Sequence, residues 1–307
     1  MVFNQTAVLP ARFTATRTAT RGQISGLYLE SCQHNTGQWH VMLESGGKLQ
    51  PGEHITLTDQ PNPSRLELLE QHEDGHWRAK LHSQLSTFDL LHSIGAPPIP
   101  PYIRRARKAR SESEINSRDN ERYNSVLATE PGSVAAPTAS LHFTQSLLDK
   151  LDQMGIRHVT LTLHIGLGTF SPIRTDNLQE HAMHREWIDI PAHTIQALAH
   201  TRLTGGRIIP VGTTCVRALE SLPDPLPHDR YTAHTNLFIT PSPTGRENFQ
   251  FRFCDALMTN FHLPRSTLMA LVGALPGVGI ERLKQWYITA IKHKYRFYSY
   301  GDAMFVV

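Results

Sequence analysis

The sequence predicts an α/β protein that carries a separate small all-β region, and three observations support this. From about Thr14 to His92 the segments QISGLYL, QWHVML, HITLT, RLELLEQHE and HWRAKLH are short and separated by glycine-containing turns, which suits a small sheet or barrel. From Ile94 to Ile103 the chain reads IGAPPIPPYI. Four prolines in so few residues rule out a helix interior or a central strand, so the stretch is an extended, stiff connector and a domain boundary. From Arg157 onward strand-like and helix-like stretches alternate, the pattern of an α/β domain.

Taken in order, residues 1 to 13 read as one short strand (Val2, Phe3) and a turn. In the β region Gly46-Gly47 and Asp74-Gly75 are hairpin signals, and the second joins two alternating runs into a hairpin from Leu66 to Leu81. After the proline connector comes RRARKAR, whose basic side chains are Arg104, Arg105, Arg107, Lys108 and Arg110. Such a run is either a solvated face or a phosphate-contacting segment. In the polar stretch that follows, Asp119 and Arg122 are spaced to pair across one helical turn. Gly132 to Phe143 reads GSVAAPTASLHF, a run of small residues and hydroxyls that lets backbone approach a ligand or packs tightly between two elements. Thr144 then caps a helix bearing Leu147, Leu148, Leu151 and Met154, which Gly155 stops. Further on, Arg157–Ile165 and RIIPV read as strands, and Pro191–Thr204 reads as a helix. Thr213-Thr214 begin a helix through Ser221, and Phe249–Asn260 is a strand or hairpin arm. Helices follow at Ser266–Leu275 and Ile280–His293, the last with a stripe of Ile280, Leu283, Tyr287 and Ile291.

The chain has 307 residues, enough for one large or two modest domains. No apolar run is long enough for a membrane-spanning helix. Cys32, Cys215 and Cys254 lack metal-binding spacing and suit a reducing cytoplasm. A net charge of +3 permits a nucleic-acid partner without demanding one, and the 18 histidines supply many candidate bases.

Four constellations have chemical potential. Gly166-x-Gly168 follows a strand, but Ser171-Pro172 stand where a dinucleotide fingerprint needs its third glycine and helix start. His181, His184 and Glu186 in HAMHRE look like a metal cluster without its usual spacing, and a polar loop explains them equally. Asn260-Phe-His-Leu-Pro ends a strand with His262, a base or a partner for a backbone group. Asp302 follows Gly301 and either orients a histidine or caps a turn.

The blocks PPIPPYI, DNERYN, GSVAAPTASLHFT, TLHIGLGTF, HAMHRE, GGRIIPVGTTCVRALES, DALMTNFHLPRSTL and YRFYSYGDAM stand in the order found in the S-adenosylmethionine:tRNA ribosyltransferase-isomerases of queuosine biosynthesis. The sequence resembles that family from Ile94 to the C-terminus, and VFNQTAVLPARF resembles the family's block before its small β domain. The resemblance implies a large α/β domain with a barrel-like sheet (residues 1–13 and 94–307) and an inserted small all-β, barrel-like domain (14–93). It implies transfer of the ribosyl part of S-adenosylmethionine to 7-aminomethyl-7-deazaguanine at the tRNA wobble position, with loss of adenine and methionine. An epoxycyclopentane forms. S-adenosylmethionine is a substrate, and no metal or bound cofactor is implied. The expected partners are tRNA and S-adenosylmethionine, with no membrane and with a monomer or weak homo-oligomer.

On this resemblance the catalytic candidates are His142, His262, His184, Glu186 and Asp302. Ser133, Pro137, Thr138, His164, Gly166, Gly168, Thr213, Thr214, Arg217 and Asn260 would line the substrate pocket. Arg104, Arg105, Arg107, Lys108 and Arg110 would meet tRNA. The chain departs from the family's pattern where Gln5 and Ala7 replace charged residues, Asn236 an Asp, and Ser140 a Gly. The family also has residues ahead of the VFN block, so a sheet edge left uncovered at Val2-Phe3 is a further expectation. A relative acting on another adenosyl or nucleoside substrate, or a non-catalytic RNA-binding relative, are the alternatives.

Overall fold

A computed structural model describes residues 1–32, 37–58, 62–73, 75–113, 116, 118–166, 185–241 and 249–307 of the chain. The chain divides into two compact units, Met1–Ala7 with Arg122–Val307, and Val8–Glu121.

Val2 and Phe3 are large apolar side chains at the start of the chain, and the fold buries them inside a sheet at 2% and 0% exposure. They lie on β1 (Val2–Asn4), which is followed by β2 (Thr6–Val8). The next segments, β3 (Arg12–Arg17), β4 (Gln23–Ser31), β5 (Gln38–Ser45), β6 (His54–Thr56), β7 (Arg65–Gln71) and β8 (Trp77–His82), have alternating burial. That period of two gives each strand one apolar face. The strands pair in the order β4-β5-β8-β7-β6-β3, and β3 pairs back to β4, so the sheet closes as a six-stranded barrel without free edges. Trp39, Phe13, Ile24, Ile55, Leu66 and Leu68 fill it. Leu66 faces Leu81 across the predicted hairpin, while Asp74 of its turn lies outside the described residues. Gly46-Gly47 does not close a hairpin: it leads from β5 to β6, which are not neighbours. A double glycine marks a turn but does not say which strands pair.

Helix α1 (Thr87–Ile94) is capped by Ser86, and β9 (Gly95–Ala96) adds to β3. The proline-rich connector is shorter than expected, because Pro101 is the first residue of helix α2 (Pro101–Ala109). Proline is tolerated there since the first-turn N–H has no intrahelical acceptor. Asp119 opens the short helix α3 (Asp119–Arg122), and Arg107 of α2 holds its carboxylate with two bonds of 2.6 and 2.7 Å.

The larger unit contains β10 (Glu130–Ser133), α4 (Gln145–Gln153), β11 (Val159–Leu163), β12 (Glu186–Ile190), α5 (Ala192–Leu203), α6 (Thr213–Glu220), β13 (Tyr231–Thr235), β14 (Leu257–Asn260), α7 (Thr267–Gly273), α8 (Gly279–Lys292) and β15 (Ala303–Val306). Thr144 caps α4 as read from the sequence, accepting from Leu147 N–H. Leu148 alone of the predicted leucine stripe is fully buried, and Met154 is 74% exposed. On α8, Leu283 and Tyr287 are buried but Ile291 is 63% exposed. RIIPV contributes only single bridges, at Pro210 and Val211.

The larger unit is mixed α/β, with a four-stranded sheet in the order β1-β11-β12-β13 and a two-stranded one of β14 and β15. β1 runs parallel to β11 on one side and to Pro210 on the other, and Val211 bridges in parallel to Met258 of β14. β12 and β15 flank these segments antiparallel to β11 and β14. β1 is therefore an interior strand rather than an uncovered edge. Ile188, Leu161, Leu163, Ile195, Leu198 and Leu219 pack on one part of the unit. Leu257, Leu271, Val272, Leu283 and Tyr287 pack on another.

Candidate functional site

In a parallel sheet the carboxyl ends of the strands leave a crevice where side chains and helix N-termini converge. Here the parallel segments end in polar residues. β1 ends at Asn4, β11 runs into His164, Pro210-Val211 leads to Gly212 and α6, and β14 ends at Asn260.

Asn4 ties the strand ends together. Its Nδ2 donates to the Leu163 carbonyl at 2.9 Å and to Thr214 Oγ1 at 3.4 Å, and its Oδ1 accepts from the N–H groups of Thr6 and Leu163. All four bonds are buried, so the amide pins β1, β11 and α6 to one another.

Next to it, Thr6 Oγ1 lies 2.7 Å from Nδ1 of His164. The His164 ring stacks on Trp187 with centroids 5.1 Å apart and planes 18° from parallel. Gly132 also abuts the ring: a Cβ there would fall 2.5 Å from Cε1 and Nε2. Any side chain at residue 132 would displace His164. Burial lowers the basicity of His164 below the ordinary histidine range, and Asp189 partly opposes this. Among the described residues its Nε2 has no hydrogen-bond partner.

The small-residue loop follows the same edge. Ser133 Oγ donates to the Ala135 carbonyl and accepts from Ile165 N–H at 2.8 and 2.9 Å, and Val134 N–H donates to the Ile165 carbonyl. Pro137 then leads into a 3₁₀ turn, Thr138–His142, that packs on β14. At its end Nε2 of His142 lies 3.2 Å from Nδ2 of Asn260. Burial again lowers the basicity of His142; Asp302 pulls it up and Arg296 pushes it down.

Gly212 has φ of 93°, a conformation that favours glycine, and it begins α6 without a side-chain cap. The N–H groups of Thr213 and Thr214 thus have no intrahelical acceptor. Further along α6, Arg217 and Glu186 form a buried ion pair, each 3% exposed at the side chain. Arg217 Nε also donates to the Leu237 carbonyl, and Gly166 N–H donates to Glu186 Oε1. This pair anchors the end of the β11 connection to the first residue of β12.

The remaining candidates divide. His262 sits in the interior, 9% exposed, with Nε2 2.9 Å from Thr259 Oγ1 and its N–H donating to Tyr287 Oη. Burial pushes its imidazole down to about 4. Asp302 clamps a loop: it accepts from Arg296 N–H at 2.7 Å and from the Arg296 guanidinium at 2.7 and 3.2 Å. That clamp holds the Asp302 carboxyl below the usual carboxylate range. His181, His184 and Gly168 lie outside the described residues. Among the described residues no group of three or more His, Cys, Asp or Glu is placed to hold a metal ion.

The basic run lies on α2, in the other unit. Arg105, Lys108 and Arg110 are exposed, whereas Arg107 is engaged with Asp119, itself 1% exposed. The Asp119–Arg122 pairing expected from spacing gives way to this longer-range one.

Sequence reading missed Asn4, Thr6, Trp187 and Tyr298. A polar Asn directly after two buried apolar residues was the available signal for the first.

The fold and site define a mixed α/β protein whose strand carboxyl ends hold two half-buried histidines, with a closed barrel threaded into its sequence. A family model described as "Queuosine biosynthesis protein" matches residues 1–306. A protein named S-adenosylmethionine:tRNA ribosyltransferase-isomerase from Acaryochloris marina is 42% identical over 100% of this chain and 79% of its own length. Proteins of the same name from Polynucleobacter asymbioticus and Burkholderia cenocepacia are 40% and 42% identical, covering 81% and 80% of their lengths. A crystal structure of S-adenosylmethionine tRNA ribosyltransferase from Thermotoga maritima aligns with 29% identity over 100% of this chain and 81% of its own, at a TM-score of 0.47. The chain belongs to the queuosine biosynthesis protein family.

Proposed function

We propose that this chain is an S-adenosylmethionine:tRNA ribosyltransferase-isomerase. It moves the ribosyl part of S-adenosylmethionine to 7-aminomethyl-7-deazaguanine at the wobble position of tRNA, giving epoxyqueuosine with release of adenine and methionine. The carrying observation is whole-chain kinship with relatives of that name at about 40% identity. The groups at the strand ends suit the chemistry.

A positively charged sulfonium acidifies the C–H next to sulfur, so the first requirement is a base that is neutral near pH 7. We assign this to His164. Its basicity is lowered, its ring stacks on Trp187 with Gly132 against it, and Nε2 has no hydrogen-bond partner among the described residues. Expelling adenine requires a donor to its ring nitrogens, which we assign to His142. Ser133, Pro137 and Thr138 bring backbone close to the sugar, and the N–H groups of Thr213 and Thr214 offer donors to polar substrate groups. The Glu186–Arg217 pair and Asn4 hold these elements in register. We leave His262 and Asp302 out of the reacting set, as an interior residue and a loop clamp. The reaction as written uses S-adenosylmethionine as a substrate and no resident cofactor.

Exposed cations on α2 suit tRNA phosphates. A cytoplasmic setting follows from a tRNA substrate. The test is incubation with S-adenosylmethionine and tRNA carrying the precursor base. Free adenine that appears only when both are present supports the reading, and none from folded protein overturns it.

A further inference from the structure

The contact between His142 and Asn260 has a consequence for proton placement. Asn260 is 2% exposed, and its Nδ2 reaches two acceptors at 3.2 Å: Nε2 of His142 and the carbonyl of Tyr298. A carbonyl oxygen only accepts, so it fixes which end of the amide faces it. The reversed amide would set Oδ1 against the Tyr298 oxygen at the same distance. The cost of the observed orientation is visible, since Asn260 Oδ1 is buried without a hydrogen-bond partner among the described residues.

Tyr298 itself is held for this task. Its φ is 72°, in a left-handed region unfavourable for a tyrosine, and its carbonyl also accepts from Gly301 N–H at 3.0 Å. Its N–H donates to the Phe261 carbonyl, next to Asn260. Asp302 and Arg296 close the loop that bears it.

With Nδ2 donating, Nε2 of His142 uses its lone pair, and the ring proton of the neutral imidazole sits on Nδ1. Nδ1 has no hydrogen-bond partner among the described residues. We propose that Asn260 is a positioning residue: oriented by the Tyr298 carbonyl, it holds His142 as the Nδ1–H form, so that His142 faces the site as a hydrogen-bond donor and not as a base. Among the described residues the charged groups facing His142 are Asp302 and Arg296, which are paired to each other. This assignment rests on the proposed transferase reading only for what the donor meets, the departing adenine. The state of the ring is a property of the protein alone.

The experiment is proton-detected two-bond ¹⁵N NMR of the full chain labelled in its histidine rings, at pH 7.5, with His142→Gln used to assign the signal. The expected result is an unprotonated-type shift at Nε2 of His142 and a protonated-type shift at Nδ1. The reverse pattern, or an even mixture, overturns the proposal. In Asn260→Asp the new carboxylate accepts instead of donating, so the pattern should invert to Nε2–H or to a charged ring. An unchanged spectrum in that variant also overturns the proposal. Should Asn260→Asp fail to fold, the wild-type pattern alone decides. Adenine release measured on the same samples separates the two ideas. The expected pattern without turnover refutes the proposed reaction and keeps the positioning role, while turnover with the reversed pattern does the opposite.

Discussion

The hydroxyl of Thr6 lies 2.7 Å from Nδ1 of His164, although 158 positions separate the two residues in the chain. The contact exists because β1 and β11 run parallel with Asn4 facing Leu161, so the residues just past each strand come out side by side. It leaves Nε2 as the nitrogen without a hydrogen-bond partner among the described residues, in a ring stacked on Trp187 and abutted by Gly132.

Thr6→Val keeps the shape and removes the hydroxyl. A net hydrogen bond contributes about 1 kcal/mol, so adenine release should fall by roughly fivefold. Because the active form of His164 is neutral and its basicity is lowered, the wild-type rate should hold as pH falls below the ordinary histidine value of about 6.5 and be lost only at lower pH. His164→Gln should abolish that acid limb. Steady-state adenine release from pH 5 to 8 checks both, and an unaltered profile in the variant would show that another group is the base.

The cations of α2 should separate by function. Replacing Arg105, Lys108 and Arg110 together with Ala should weaken tRNA binding and reduce the slope of log K against log salt by roughly two to three, with folding intact. Arg107→Ala should instead destabilise the protein by on the order of 2 kcal/mol, because it removes a two-bond charged contact from Asp119, which is 1% exposed. Salt-dependent binding and urea unfolding read the two effects. Equal behaviour of all four positions would contradict the division.

His262 gives a pH dependence of stability. Its folded value of about 4 lies below the unfolded value of about 6.5, so the unfolded chain binds the extra proton first. Stability from this group is fully present above about 6.5 and is lost as pH falls towards 4, by up to about 3 kcal/mol. His262→Gln should flatten the denaturation midpoint over that window. A variant as acid-sensitive as wild type would refute the interior, neutral state.

Local features were legible in the sequence where one residue decides them. Thr144 before a leucine run marked a helix start, and alternating runs around Asp74-Gly75 marked the Leu66–Leu81 pairing. Features set by distant partners were not. Gly46-Gly47 looked like a hairpin turn, but barrel closure sends β5 and β6 to different neighbours. Pro101 looked like part of an extended linker because a proline at a helix start and one in a connector are the same letter. In the site, His142, His164 and Asn260 stood out as polar residues in distinctive motifs. Which nitrogen each ring leaves open depended on Thr6 and on the Tyr298 carbonyl, contacts that no spacing encodes.

The most direct measurement is mass spectrometry of nucleosides digested from the precursor tRNA after reaction with S-adenosylmethionine, with adenine and methionine quantified in the same mixture. The account predicts that the precursor nucleoside is replaced by epoxyqueuosine, with one adenine and one methionine released per nucleoside converted, and that His142→Ala and His164→Ala each lower this by about 10² or more while remaining folded. Adenine released without any change in the tRNA nucleoside, or no conversion by the folded wild-type chain, would contradict it.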